Sequence, residues 1–310
     1  MLVFGSSGFL GWHVRAAAAA GDLRPVTRSK VRPERALGHG DSPWIVFASG
    51  ERAGLDRRLD QLLEQERPRA VLQLAAIASG AECERDPEGA SWANEILPGV
   101  IAAACHRAGI RMVHASTDLV FGAAPAPPGG LSEADEPAPL GVYGSTKAGG
   151  ERSVLKAAPE ALVVRLPLLF GYSVHGGAGA SDSLFAALER GEEVFLFDDE
   201  WRQPLEASLA ARTLLALCDR PDLAGLLHLP GPERLTRAEF GTRLMAAAVR
   251  RGARFAGEPE FGPRAIRGMA DSRPPDTHLA DRRLRAELGG HPESLEEMIE
   301  RAVAQRYPKS

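Results

Sequence analysis

The sequence has few cysteines and no long apolar run. Its three cysteines, Cys83, Cys105 and Cys218, are an odd number without CxxC spacing, which favours neither a disulfide framework nor a zinc site. We therefore expect no metal ion and a reducing, cytoplasmic location. No apolar run approaches the roughly 18 residues that cross a bilayer, and no cationic leader precedes the first apolar segment. The sequence predicts no membrane partner.

An excess of positive charge is also missing. Lys and Arg total 37 against 41 Asp and Glu, a formal net charge of −4, so no overall field attracts nucleic acid. With 44% hydrophobic and 25% charged residues, the composition is that of an ordinary globular protein. We expect a small-molecule partner, and 310 residues allow one large α/β domain or two smaller ones.

The first 170 residues alternate short β-rich runs with helical segments, which is typical of βαβ units and a parallel sheet. Strands are predicted at 2–4, around 26, and at 44–47, 71–75, 111–115 and 163–166. Helices are predicted at 8–20, 55–66, 98–108 and 143–155. This pattern predicts a Rossmann-type doubly wound parallel sheet over residues 1–170.

The rest of the chain has a different character. Residues 171–310 mix helices with two short predicted strands, 194–197 and 226–229. We interpret this part as a smaller mixed α/β substrate-binding lobe that is interleaved with the first domain. A loop rich in Pro, Gly and acidic residues at 123–139 interrupts the alternation, and a loop of this length is usually functional.

A glycine-rich turn follows the first predicted strand, with glycines spaced by three residues at the mouth of a helix. Such a turn lets the backbone approach a pyrophosphate, and the helix start offers free N–H groups. The spacing is GxxGxxG rather than GxGxxG, so a turn without a ligand remains the alternative. The predicted cofactor-binding residues here are Gly5, Ser7, Gly8, Phe9, Leu10 and Gly11.

The residues at the end of the second predicted strand distinguish an NAD site from an NADP site. An NAD site places Asp or Glu there, whereas this sequence has TRSK at 27–30. A guanidinium and a hydroxyl suit a 2′-phosphate. We therefore predict NADP as the cofactor, with NADPH preferred over NADH and with Arg28 and Ser29 as contacts. The alternative is that Arg28 and Lys30 are solvated loop cations.

Tyr143 and Lys147 are four residues apart, on one face of a predicted helix. Tyrosine is a poor proton donor at neutral pH, and a neighbouring ammonium would lower its pKa towards the working range. A YxxxK pair alone is frequent on solvated helices. The pair is a more specific catalytic signal here because the sequence also has the glycine turn and the run STD at 116–118, next to the fifth predicted strand.

Together these motifs resemble the extended short-chain dehydrogenase/reductase superfamily, in particular dTDP-4-dehydrorhamnose reductases and related sugar-nucleotide-binding reductases. The resemblance rests on GIRMVHASTDLVF at 109–121, on LGVYGSTKAGGE at 140–151 and on the segment 74–94. Arg273-Pro274 follows the same pattern.

The resemblance implies a role for each matching residue. Thr117 would hydrogen-bond a substrate carbonyl, Tyr143 would deliver its proton, and Lys147 would hold the nicotinamide ribose. Asn94 would stabilise a loop beside the cofactor, or it would be a local cap. The residues that would line the cofactor with their backbone are Leu74, Ala75 and Ala76.

The reaction class follows from neighbouring residues. Asp118 is followed by Leu119, so the second carboxylate of nucleotide-sugar dehydratases is missing. The resemblance therefore implies an NADPH-dependent reductase of a keto group on a nucleotide-linked deoxysugar, or of a related ketone. The alternatives are an NAD-dependent epimerase and a non-catalytic NADP-binding subunit, like that of methionine adenosyltransferase. A homodimer is a further expectation.

Leu168 stands where these reductases have a tryptophan near the sugar, so we expect different ring substituents. Arg202 would pair either with a substrate pyrophosphate or with adjacent carboxylates. His114 lies within a predicted strand and is interpreted as a core histidine. The predicted substrate-binding residues are Thr117, Asp118, Tyr143, Leu168 and Arg202.

Overall fold

A computed structural model describes residues 1–19, 21–27, 44–173, 179–269 and 272–308. The chain divides into two compact units. The first unit comprises residues 1–117, 141–165 and 208–227. The second unit comprises residues 118–140, 166–207 and 228–310. Over the described ranges, no helix combines the length and the apolar character needed to cross a membrane.

A seven-stranded sheet forms the centre of the first unit. In spatial order its strands are β3 (Ile45–Val46), β2 (Arg24–Thr27), β1 (Leu2–Phe4), β4 (Ala70–Gln73), β5 (Arg111–Thr117), β6 (Leu162–Leu166) and β11 (Gly225–His228). The pairs among β1 to β5 are parallel. The order 3-2-1-4-5-6 is that of the Rossmann fold, which confirms the predicted α/β class.

Helices follow these strands as the βαβ pattern requires. Those of the first unit are α1 (Phe9–Ala17), α2 (Leu55–Glu66), α3 (Gly80–Arg85), α4 (Pro87–Ser91), α5 (Leu97–Ala108), α6 (Gly141–Ala157) and α8 (Ala207–Cys218). A π-helical turn, Trp92–Ile96, joins α4 to α5. Helix α2 has its predicted bounds because Leu55, Leu59, Leu62 and Leu63 all face the core.

Among the strands that differ from their predictions, three bear on the site or on the central sheet. β4 ends at Gln73 rather than at residue 75, because the Gln73 side chain bonds the backbone of Ala75. β5 continues through Thr117, so Ser116 and Thr117 belong to the strand instead of following it. The predicted strand 226–229 lies at the edge of the central sheet as β11, next to β6, where the buried Leu227 continues the core of the sheet.

Among its described residues, the second unit contains three short strand pairs. They are β7 (Leu169–Phe170) with β10 (Leu205–Glu206), β8 (Phe195–Phe197) with β13 (Glu260–Gly262), and β9 (Trp201–Arg202) with β12 (Leu235–Thr236). Its helices are α7 (Ala180–Glu189), α9 (Arg237–Arg250), α10 (Arg282–Leu288) and α11 (Leu295–Arg306). Capping boxes start α9 and α11, as expected for Thr or Ser followed by Glu three residues later.

A buried ion pair connects α6 to β6 within the first unit. Arg165 donates two hydrogen bonds to Glu151, at 3.0 and 2.7 Å, and the two side chains are only 1% and 4% exposed. The Ser116 hydroxyl on β5 also donates to Glu151, at 2.5 Å. Because both charges are paired and hydrogen-bonded, their burial is tolerated.

Arg165→Met is expected to lower the free energy of unfolding by roughly 3–5 kcal/mol, because it leaves the Glu151 carboxylate buried and uncompensated. Urea denaturation measures the change. The control is Arg107→Met, which removes the Arg107 to Asp60 ion pair, in which both side chains are 49% exposed. We expect it to cost less than about 1 kcal/mol. Equal losses in the two variants would contradict a structural role for the buried pair.

Candidate active site

The glycine turn after β1 is pressed against the backbone that follows β4. Gly5 has φ +83°, and a Cβ on it would lie 2.5 Å from the Ala75 nitrogen. A Cβ on Gly11 would lie 2.2 Å from the Gly5 carbonyl oxygen. Gly8 donates its N–H to the same oxygen at 3.0 Å. Two of the predicted glycines are therefore required by close backbone contacts.

The remaining residues of the turn open α1. Gly8 is exposed, and Ser7, Phe9 and Leu10 are half-buried. The first turn of α1 contains no acidic residue, and Gly8 makes no side-chain cap. The first N–H groups of a helix have no partner within it, and its dipole favours an anion at this end. The turn can therefore hold a phosphate through its backbone.

The segment after β4 reaches the same edge of the sheet. The Gln73 amide accepts from the Ala75 N–H and donates to the Ala75 carbonyl, both at 3.2 Å. The Leu74 N–H donates to the Phe4 carbonyl at 2.9 Å. Leu74 and Ala75 are half-buried, and Ala76 is exposed. β1 and β4 are neighbours at the point where the strand order reverses, which is where Rossmann folds bind ligands.

Asn94 clamps this segment to α6. Its side chain accepts from the Ile77 N–H at 2.8 Å and donates to the Ile77 carbonyl at 3.0 Å. The same amide donates to the Thr146 hydroxyl at 3.1 Å. Asn94 is fully buried and lies on the π-helical turn, a geometry that is frequent at functional sites. Asn94 therefore ties the loop beyond β4 to the helix that carries Tyr143.

The predicted pair of Tyr143 and Lys147 lies one turn apart on α6. Tyr143 is half-buried and Lys147 is 2% exposed. The helix comes close to the π-helical turn because two glycines face it. A Cβ on Gly150 would lie 2.1 Å from the Asn94 carbonyl oxygen, and one on Gly149 would lie 2.6 Å from the carboxylate of Glu95.

The Lys147 ammonium has its partners on β5. It donates to the Ala115 carbonyl at 2.7 Å and lies 3.4 Å from Nε2 of His114. Burial lowers the pKa of Lys147 to about 8, although the nearby Glu151 carboxylate opposes this shift. The side chain is therefore still largely charged at neutral pH. Thr117, buried at the end of the same strand, completes the predicted catalytic set of the first unit.

Asp118 and Leu168 belong to the second unit. Asp118 is buried in a 3-10 turn, Asp118–Val120, and accepts a hydrogen bond from the Thr277 hydroxyl at 2.6 Å. Leu168 is half-buried between β6 and β7, and its carbonyl accepts from the Leu205 N–H at 3.0 Å. No sequence pattern pointed to Thr277, which lies 159 residues from its partner.

Arg202 is buried among protein partners in the second unit. It lies 3.2 Å from Glu200 and donates to the Trp201 and Pro274 carbonyls at 2.6 and 3.1 Å. These contacts correspond to the ion-pair alternative for this residue. Glu200 also accepts from Arg273 at 2.5 and 2.8 Å, and Arg237 lies 4.0 Å away. One buried carboxylate thus faces three guanidiniums.

Arg28 and Ser29, the predicted contacts of a 2′-phosphate, lie outside the residues that the structure describes. Sequence reasoning also missed Gln73, Thr146 and the contact between His114 and Lys147. The sequence offers one sign of Gln73 and His114, since each is a polar residue within an otherwise apolar strand. That signal indicates burial but does not identify the partner.

Comparisons with known proteins show which family the sequence matches. The family model of the RmlD substrate binding domain matches residues 1–307. The chain is 30% identical over 268 residues to the dTDP-4-dehydrorhamnose reductase of Escherichia coli K12, covering 84% of this chain and 80% of that protein. It is 33% identical over 189 residues to the probable low-salt glycan biosynthesis reductase Agl14 of Haloferax volcanii, covering 60% of this chain and 62% of that protein.

A solved structure supports the fold independently. The dTDP-4-dehydrorhamnose reductase of Bacillus anthracis, crystallised in complex with NADP, superposes with a TM-score of 0.76. The match covers 98% of this chain and 97% of that one, at 21% sequence identity.

Gly11→Ala is expected to displace the turn, because the new Cβ would lie 2.2 Å from the Gly5 carbonyl oxygen. We expect the free energy of unfolding to fall by about 1–3 kcal/mol, as for other overpacked sites. The matched control is Gly50→Ala, since a Cβ there meets nothing within 4 Å. Urea denaturation of both variants checks this, and an unchanged stability of Gly11→Ala would show that the turn is not closely packed.

Proposed function

The chain belongs to the family of the RmlD substrate binding domain, and from this premise we propose that it is an NADPH-dependent reductase of a keto group on a nucleotide-linked sugar. The observation that carries the proposal is the buried Lys147 ammonium, held by the Ala115 carbonyl one helical turn from Tyr143. Family membership alone leaves the reaction open. A phenol and an ammonium one turn apart on the same helix suit proton delivery to a carbonyl.

The protein side of the chemistry divides among three residues. Tyr143 would donate its phenolic proton to the oxygen of the reacting carbonyl. Lys147 would stabilise the phenolate that forms and hold the ribose of the cofactor, and Thr117 would fix the substrate carbonyl through its hydroxyl. NADPH, when bound, supplies the hydride for the reduction.

The glycine turn fits a dinucleotide. The close contacts of Gly5 and Gly11 with neighbouring backbone hold the turn in place. Gly8 is exposed at the mouth of α1, where a backbone without a Cβ allows close approach by a pyrophosphate. The N–H groups of α1 would hold its charge, and the backbone of the segment 74–76 would line the cofactor. Arg28 and Ser29 would bind the 2′-phosphate of NADP, because the sequence has no carboxylate at that position.

We assign the dinucleotide to the first unit and recognition of the nucleotide sugar to the second. Arg202 is held by Glu200 and two backbone carbonyls, so Arg273, whose side chain is 41% exposed beside the same carboxylate, is the guanidinium that suits a pyrophosphate. Leu168 would give the sugar an aliphatic neighbour. The named reductases among the relatives support a sugar-nucleotide substrate.

Tyr143→Phe is expected to reduce kcat at least about 100-fold, the usual range for loss of a general acid, while the Kd for NADPH changes less than about threefold. The assay follows NADPH absorbance with dTDP-, UDP- and GDP-linked 4-keto sugars. Thr242→Val, which removes an exposed hydroxyl on α9, is the control. Tight NADPH binding by the unmodified protein without turnover of any ketone would instead favour the non-catalytic NADP-binding subunit.

NADPH binding is expected to weaken as the pH rises through about 8, the pKa to which burial lowers Lys147. The charged ammonium is the binding form and is lost above that pH. Fluorescence titrations of NADPH between pH 6 and pH 10 measure the Kd, and Lys147→Met should remove this step. A wild-type Kd that is constant across this range would contradict the role given to Lys147.

A further inference from the structure

The imidazole of His114 lies beside the Lys147 ammonium in the interior of the first unit. Its Nε2 is 3.4 Å from the lysine Nζ, and the side chain is fully buried. His114 is on β5, where it is paired in register with Gln73 of β4. The ring is therefore held between a central strand of the sheet and α6, out of contact with solvent.

The protonation of this ring decides whether the contact is attractive. An ammonium has three N–H groups and no acceptor, whereas a neutral imidazole has one nitrogen that accepts. Burial is the main cause that holds the pKa of His114 well below its ordinary value, and the positive charge of Lys147 adds to it. The ring is neutral at physiological pH, and Nε2 can accept a hydrogen bond from Nζ if the proton is on Nδ1.

We propose that His114 is a positioning residue that accepts a hydrogen bond from the Lys147 ammonium at Nε2. Together with the Ala115 carbonyl, it occupies two of the three N–H groups and leaves one for a ligand. The proposal deepens the reductase function and rests on it only for the identity of that ligand. It assigns a role to a residue that sequence patterns suggest is part of the core.

The other charged groups around Lys147 do not replace this contact. Glu151 lies one turn further along α6 and raises the lysine pKa, but Arg165 and Ser116 already donate to its carboxylate. Glu95, from the π-helical turn, lies against Gly149. Tyr143 precedes Lys147 by one turn on α6. Loss of an acceptor for the charged form should therefore lower the pKa of Lys147 further.

The first test is independent of function. Histidine ring signals in 15N-labelled protein are recorded from pH 5 to pH 9, and the His114→Gln variant assigns those of His114. We expect His114 to remain neutral throughout, with the proton on Nδ1 and Nε2 unprotonated. A ring that titrates near its ordinary value of about 6.5, or one that carries its proton on Nε2, would overturn the proposal.

The second test uses the pH dependence of NADPH binding. His114→Phe removes the acceptor and is expected to move the alkaline loss of affinity about one pH unit lower, the usual size for a hydrogen bond to a charged group. His114→Gln keeps an acceptor in the place of Nε2 and should stay within about 0.3 units of the original profile. The control is His106→Phe, whose ring is exposed and contacts Glu160.

The outcomes separate this proposal from the proposed function. Coincident profiles of His114→Phe and the unmodified protein, or equal shifts in the Phe and Gln variants, would overturn the positioning role. Should the unmodified protein fail to bind NADPH, the reductase function would be refuted, and the ring signals of His114 would still decide whether it accepts from Lys147. If His114→Phe does not fold, the Gln variant and the ring signals give the answer.

Discussion

The burial of one ammonium, that of Lys147, is the constraint on which the arrangement of the first unit depends. A charge in a protein interior costs several kcal/mol unless protein groups replace its water. The Ala115 carbonyl and His114 on β5 stand in for that water, while Glu151 supplies an opposite charge whose position Arg165 holds. These partners come together where α6, β5 and β6 meet. The contacts that pack α6 against the sheet are therefore the same contacts that hold the Lys147 ammonium in place.

The second requirement is that α6 lies close to the π-helical turn, because this packing fixes the position of the helix that carries Tyr143 and Lys147. Gly149 and Gly150 remove the side chains that would separate α6 from the π-helical turn. From that turn Asn94 contacts both Ile77 and Thr146. A single buried amide thus fixes the loop after β4 relative to the helix that carries the reactive pair. Both sides of the candidate site depend on it.

Signals that are local in sequence were sufficient for the fold and for part of the site. The strand and helix periodicities, the glycine turn and the YxxxK spacing are each short patterns along the chain. The structure packs the glycine turn against the segment after β4 and Lys147 against β5. The contacts of Gln73, His114 and Thr277 could not be predicted, because each partner is set by strand register or by a distant segment. That the predicted strand 226–229 joins the central sheet as β11 could not be predicted for the same reason, since the position of an edge strand depends on long-range pairing.

The net charge of −4 and the proposed anionic ligands are compatible because the relevant charges act locally. In the second unit, burial alone would raise the pKa of Glu200, yet Arg273, Arg202 and Arg237 together hold it below its ordinary value. The same carboxylate keeps these guanidiniums in fixed positions. An incoming diphosphate would not have to order them, which removes part of the entropic cost of binding. The carboxylate would at the same time compete with the diphosphate for their hydrogen bonds, so binding would depend on the N–H groups of these side chains that Glu200 does not occupy.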